Sequence, residues 1–301
     1  MTNGRKIDLA LEAKEFAEGS AEKTSRISGV KAEEDTVFGL PLTRVKILDQ
    51  EGEAALGKPK GTYLTLDLEE LPRDREEILR AARAVAAMLE ELPDLPREGL
   101  VLVTGLGNRR VTPDAIGPKT ADALLVTRHL VKALPHQFSS LRPVAALAAG
   151  VTGSTGMESG EVIGAVVKKL KPVCLIAVDA LAARRQERVC RTIQIADTGI
   201  VPGSGVGNAR MALDEKSLGI PVIAVGVPTV VDAGTLCLDL LEDAGEKDFD
   251  PSSFRGEGAE WFVTPRNVDS QVDILSRILG LGISTALHVD FSVEDVEKWT
   301  S

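Results

Sequence analysis

LVLVTGLGNRRVTPDAIGP, residues 100–118, decides how this chain folds. An apolar run, Leu100–Thr104, stops at the glycine pair Gly105 and Gly107. A polar stretch follows, with Asn108, two arginines and an aspartate behind Pro113. An apolar run without alternation is a strand buried on both faces, as in parallel sheets covered by helices. Similar runs recur at 143–148 (PVAALA), 173–178 (VCLIAV), 191–196 (RTIQIA) and 220–226 (IPVIAVG). Helix-like segments separate most of them, at about 114–134, 159–170, 180–188 and 208–218. The expectation is an α/β fold, a three-layer α/β/α sandwich around a mostly parallel sheet.

The flanks add to this frame. Residues 74–92 (DREEILRAARAVAAMLEEL) place Ile78, Leu79, Ala82, Val85, Ala86 and Leu89 on one helical face, with acids in the first turn. Arg44–Leu48 and Thr62–Leu68 alternate like half-exposed strands and predict a small N-terminal β subregion, about 40–70. A last helix is expected over about 267–287. Residues 244–260 are turn-rich and read as a surface excursion, and the first 35 residues, polar and without clean periodicity, as a mobile or peripheral arm.

Composition excludes several classes. The net charge of −10 argues against direct nucleic-acid binding, which needs clustered Lys and Arg. Aromatic residues make up only 3%, too few for base-stacking platforms. Three cysteines without a CxxC give neither a disulfide framework nor a zinc knuckle. Residues 1–20 are too charged for a signal peptide. The longest apolar run, Ile220–Val231, is too short to span a bilayer. No membrane partner is expected, and the compartment reads as cytoplasmic.

In open α/β sheets, ligands and catalysis lie beyond the carboxyl ends of the strands. That singles out Asn108 and Asp114, Thr152–Glu158, Asp179, Asp197 and the glycine loop 202–208 (PGSGVGN). The glycines at 105 and 107 lack the third glycine of a dinucleotide fingerprint, because Arg110 stands there. Loop 202–208 is one residue short of that spacing, and neither loop ends in GK[ST]. The glycines read instead as places of sharp turning and close approach. Each aspartate alone is a plausible cap or turn former. Three at one end of one sheet could converge. Two close carboxylates share a proton, so that one activates water while the other polarises a carbonyl. The same groups could instead hold a divalent metal. Asp197-Thr198-Gly199 matches a tripeptide of aspartic peptidases, a short match expected by chance. There is no GxSxG, and His129, His136 and His288 read as structural or surface residues.

Longer stretches carry a family. GLGNRRVTPDAIGPKTADALLVTRHL (105–130), GVTGSTGMESGEVI (150–163), VDALAARRQERVCRTIQIADTGIVPGSGVGNAR (178–210) and LGIPVIAVGVPTVVDA (218–233) resemble the germination proteases of endospore-forming bacteria, from DLALEAKE near the N-terminus to STALH at 284–288. Two departures stand out: a shortened segment at about 240–260, and Arg109 where the family often has an aromatic residue. The resemblance implies an α/β/α fold related to the hydrogenase maturation endopeptidases and a homotetramer. It also implies an atypical aspartic endopeptidase, made as a zymogen, that degrades small acid-soluble spore proteins at germination, in the forespore or spore core. The family's catalytic aspartates fall on Asp114 and Asp179. Asn108, Glu158 and Asp197 are possible supporting residues, and Asp197 aligns with a family aspartate not read as catalytic. No metal or cofactor is implied.

Self-processing is implied too. Asp8-Leu9-Ala10 matches the family's autocleavage pattern, so the cut is expected between Asp8 and Leu9. Residues 1–8 are then a propeptide, and 9–301 a single peptidase domain. Glu15-Phe16-Ala17-Glu18 is a second candidate. The arm could occlude the site, and acidification would restore the proton shared by the two carboxylates. Two alternatives stay open: a metal-dependent peptidase using Asp114, Asp179 and Glu158 or His129, and a non-catalytic nucleotide- or phosphate-binding protein using loop 202–208.

Overall fold

The computed structural model describes residues 7–20, 27–203, 211–245 and 261–300. Among them the elements in chain order are α1 (Ala10–Ser20), β1 (Val30–Val37), β2 (Leu40–Ile47), α2 (Gln50–Leu56), β3 (Gly61–Asp67), α3 (Arg75–Glu91), β4 (Val101–Gly105), α4 (Ile116–Asp122), α5 (Arg128–Ala133), β5 (Val144–Ala148), α6 (Thr152–Thr155), α7 (Ser159–Leu170), β6 (Cys174–Ala183), β7 (Thr192–Ala196), α8 (Glu215–Leu218), β8 (Val222–Asp232), α9 (Ala233–Asp243), β9 (Phe262–Val263), α10 (Val268–Leu287) and α11 (Val293–Thr300). The strands form one sheet in the order β1-β2-β3-β7-β8-β6-β4-β5, with β9 on β8.

Both faces of the sheet are covered, as the continuous apolar runs require. Val101, Val103, Cys174, Ile176, Val178, Ile223 and Val225 point into one core, shared with α3, α4 and α10. The alternate residues Leu102, Leu175, Ala177 and Val222 pack against Ile163 and Val167 of α7 on the other face. Burying one such aliphatic side chain contributes about 1.5–3 kcal/mol. Helix α3 starts where its sequence says it should: the Asp74 carboxylate accepts from the Glu77 N–H at 2.9 Å, and the apolar face is buried.

The sheet has two halves. Strands β8, β6, β4 and β5 are parallel, whereas β1, β2, β3 and β7 are antiparallel to their neighbours, β7 and β8 included. The run 191–196 is thus a strand as expected but reversed. The link Arg184–Arg191 holds only a short 3-10 turn, too little for the crossover a parallel return needs.

Four sequence expectations need correction. Of the helix expected over 208–218, only Glu215–Leu218 is helical among the described residues. The helix expected over 180–188 is absent, because β6 stays paired with β8 as far as Ala183. The helix expected over 114–134 is broken into a 3-10 turn, α4 and α5. Between α4 and α5 the backbone is tied elsewhere: the Leu125 N–H donates to Ser284 Oγ, and the Val144 N–H donates to Thr127 Oγ1. Residues 7–20 are not a peripheral arm. Leu9, Ala10 and Glu12 are buried, Ala10 and Ala13 pack with Val45, Ile47, Leu56 and Tyr63, and Val30–Val37 is the edge strand.

Candidate active site

Strands β4 and β6 lie side by side in parallel, Gly105 opposite Val178. β4 ends there while β6 runs on, so Asp114 and Asp179 emerge at the same end of the sheet. Asp114 follows a tight loop closed by its own carboxylate: Oδ2 accepts from the Asn108 N–H at 2.7 Å. Gly107 explains the glycine pair. Its φ is +102°, and a Cβ there would lie 2.1 Å from the Asp114 carbonyl oxygen. Gly105 lets Gly117 of α4 approach, a Cβ meeting the Gly117 oxygen at 2.1 Å. The glycines shape a turn that presents a carboxylate, as the sequence indicated.

Asp179 is held by the strand itself. It pairs with Gly226 of β8, is only 6% exposed, and its Oδ1 accepts from the Ala180 N–H at 2.9 Å. Asp114 and Asp179 both line one cavity of about 400 Å3, together with Asp8, Leu106, Gly107, Ser159, Thr229 and Gly203 among others. One oxygen of each aspartate is fixed by a backbone N–H, which sets the plane of the carboxylate before any substrate arrives.

Sequence reasoning missed Thr229. The β6–β8 register slips between Leu181 and Ala182, which face Pro228 and Val230 and leave Thr229 as the extra residue of a bulge. Its Oγ1 donates to the Pro113 carbonyl at 2.6 Å and so fixes the turn that carries Asp114. Bulges commonly re-aim a side chain beside an active site. A hydroxyl residue within the apolar run 220–231 was the available signal.

The N-terminal segment enters the same cavity. Asp8 Oδ2 accepts from the Ala182 N–H at 2.9 Å, and the Asp8 N–H reaches the Ala182 carbonyl at 3.4 Å. Leu9 is wholly buried, and the Ala10 N–H donates to Gln194 Oε1 at 2.7 Å. Glu12 accepts from the Arg184 and Arg185 N–H groups at 2.7 and 2.9 Å. Burial nevertheless raises its carboxyl to about 7, the backbone bonds and the Arg188 charge offsetting only part of the desolvation. The second expected cut, at Glu15-Phe16-Ala17, lies within α1. There Glu15 pairs with Arg188 at 2.6 Å, and the Arg184 guanidinium covers the Phe16 ring.

The other sequence candidates are not brought together. Asn108 acts through its backbone, its side-chain Oδ1 accepting from the Arg110 N–H. Glu158 precedes α7 and accepts from Thr152 Oγ1 at 2.9 Å, outside the cavity lining. Asp197 stitches β7 to β3, Oδ1 accepting from the Thr62 N–H at 2.7 Å. His129 is exposed on α5. Among the described residues no three His, Cys, Asp or Glu side chains are grouped to hold a metal ion, so the donor set of the metal-dependent alternative is not assembled. Burial pushes the Cys174 and Cys190 thiols up to about 12, far from thiolate chemistry. Loop 202–208, beyond Gly203, lies outside the described residues, as does most of 244–260. No helix among the described residues is long and apolar enough to cross a membrane.

Comparison with known proteins agrees with the motifs. A family model described as "Germination protease" matches residues 10–244. A germination protease of Clostridium perfringens is 43% identical over 98% of this chain and 98% of its own length. That of Bacillus subtilis is 38% identical, with 96% of this chain and 95% of the relative covered. Among solved structures, a NiFe-hydrogenase maturation protease of Thermococcus kodakarensis aligns over 66% of this chain and 98% of its own. Its identity is 17% and its TM-score 0.36, too slight a likeness to carry an argument. The two curated relatives match nearly end to end, and the stretches quoted for the resemblance, the glycine turn before Asp114 and the part of β6 that holds Asp179 all lie inside the matched span: the chain belongs to the germination protease family.

Proposed function

We propose that this spore-germination endopeptidase hydrolyses peptide bonds with Asp114 and Asp179 as its water-activating pair, is made as a zymogen, and cuts itself between Asp8 and Leu9. Its substrates are small acid-soluble spore proteins in the spore core, and it works as a homotetramer. The single observation behind the chemistry is the cavity lined by both Asp114, past β4, and Asp179, within β6. One carboxylate, ionised, takes a proton from water as it attacks the carbonyl carbon. The other, protonated, donates to the carbonyl oxygen, and the proton returns to the leaving nitrogen as the intermediate collapses. The placement of Asp8 in the same cavity supports self-processing.

The test is intact mass against time after mild acidification, for the unmodified chain, Asp114→Asn and Asp179→Asn, with and without chelator. Loss of residues 1–8 only from the unmodified chain, unaffected by chelator, is expected. A stable unmodified chain, processing by either variant, or processing stopped by chelator would overturn the aspartate-pair reading.

A further inference from the structure

Beyond Val178 the side of β6 that faced β4 has no strand partner among the described residues. The Leu106 N–H closes that ladder on the Val178 carbonyl at 2.8 Å. Alternate residues of a strand present their backbone to the same side, so Ala180, Ala182 and Arg184 line this open edge. The N-terminal segment occupies it. Ala182 offers both N–H and C=O to Asp8, and Arg184 offers its N–H to Glu12. An exposed sheet edge is a ready template for an extended peptide, main-chain bonds giving affinity and side-chain pockets giving selectivity.

A side-chain pocket stands beside this edge. A second cavity, of about 230 Å3, adjoins the first and shares Asp8, Leu181, Ile200 and Val201 with it. Lys58, in the turn between α2 and β3, lines it. Among the described residues lining either cavity, Lys58 is the one cation. A lone ammonium in the wall of a partly closed pocket, in a chain of net charge −10, points to a carboxylate guest. The charges of Asp8 and Glu12 both act on it, against burial, which pushes the ammonium below its ordinary value.

We propose that Lys58 and the Ala182 backbone form the receptor for the acidic side chain immediately before the cleaved bond, with the peptide lying along the open edge of β6. This rests on the peptidase reading above and deepens it. Asp8 is the chain's own occupant of this receptor. An incoming substrate takes the same place, its carboxylate on the Ala182 N–H and facing Lys58.

The test is a double-mutant cycle on self-cleavage, read by intact mass of the full chain: unmodified, Asp8→Asn, Lys58→Met and both together. Asparagine keeps an acceptor for the Ala182 N–H and removes only the charge. A hydrogen bond or close pairing to a charged group sets the scale, so each single change is expected to slow processing by roughly tenfold to a hundredfold. The double variant should be about as slow as either single one, because both remove the same interaction. Lys58→Arg should restore most of the rate. Melting curves identify any variant that fails to fold, in which case Lys58→Gln replaces Lys58→Met. Independent, multiplying effects, or Asp8→Asn processed at the unmodified rate, would overturn the receptor and leave the aspartate-pair chemistry standing. An unmodified chain that never self-cleaves would overturn the self-processing reading and this inference together.

Discussion

The two halves of the sheet use the same element for opposite purposes. In the parallel half, β5-β4-β6-β8, strands buried on both faces place Asp114, just past β4, and Asp179, within β6, each with a carboxylate oxygen bonded to a backbone N–H. In the antiparallel half, β1-β2-β3-β7, one face joins the main core while the other holds α1 through a small cluster that includes Ala10 and Ala13. The wholly buried Leu9 adds a few kcal/mol of apolar hold, and the alanines much less. The polar grip on the N-terminal segment includes a carboxylate, Glu12, whose burial is itself costly. One half is built to hold atoms still. The other is built to hold the N-terminal segment against the sheet.

The largest effect expected breaks the comparison at its rigid side. Asp114→Asn and Asp179→Asn should each lower kcat/KM on a peptide substrate by roughly a thousandfold or more, with unchanged melting curves. Retained activity in either would remove that residue from the reacting pair.

The holding side should show itself in pH dependence. Glu12 has a carboxyl at about 7 when docked, against 4.5 for a free glutamate. A raised pKa means the docked form keeps a proton that the free form loses. Docking is therefore strongest below pH 4.5, weakens as pH rises to about 7, and is level above. The full span is of order 3 kcal/mol. Glu12→Gln should flatten the profile, read by hydrogen exchange at the Arg184 and Arg185 amides. An unchanged slope would place the titration elsewhere.

Next in size is the turn between the halves' tasks. Gly107→Ala forces a Cβ to 2.1 Å from the Asp114 carbonyl oxygen at a φ of +102°. A displacement of this kind near reacting atoms is expected to cost roughly a hundredfold in kcat. An active Gly107→Ala enzyme would mean that the turn tolerates movement of Asp114.

The smallest effect concerns Asp197, at the seam of β3 and β7. Asp197→Ala leaves the Thr62 N–H without its acceptor and should cost about 1–2 kcal/mol in unfolding free energy, with kcat/KM unchanged. Loss of activity without loss of stability would instead give the Asp-Thr-Gly tripeptide a part in the chemistry.

Legibility in the sequence followed range. Helices α3, α7 and α10 lie within a residue or so of where periodicity and caps put them, because both signals are local. Asp114 was legible as a carboxylate just past a strand, whereas Asp179, read as ending its strand, lies inside β6. The direction of β7 was not legible, since apolar content is the same in a parallel and an antiparallel strand. Ala180–Ala183 was misjudged because alanine favours a helix, while β8 supplied a partner that kept it extended. The N-terminal segment looked peripheral because its acids are polar by composition. Asp8 and Glu12 are buried because amides of β6 and its continuation, from a distant part of the chain, receive them.

By itself the sequence determined the α/β class, the glycine turn that presents Asp114, the apolar run that leads to Asp179 and the family, since each is written in contiguous residues. Tertiary structure alone decided that Thr229 braces the Asp114 turn, that Asp8 shares a cavity with both aspartates, and that Lys58 lines a cavity adjoining it. Those contacts join residues far apart in the chain, and only the pairing of strands at defined register brings their side chains within reach of one another.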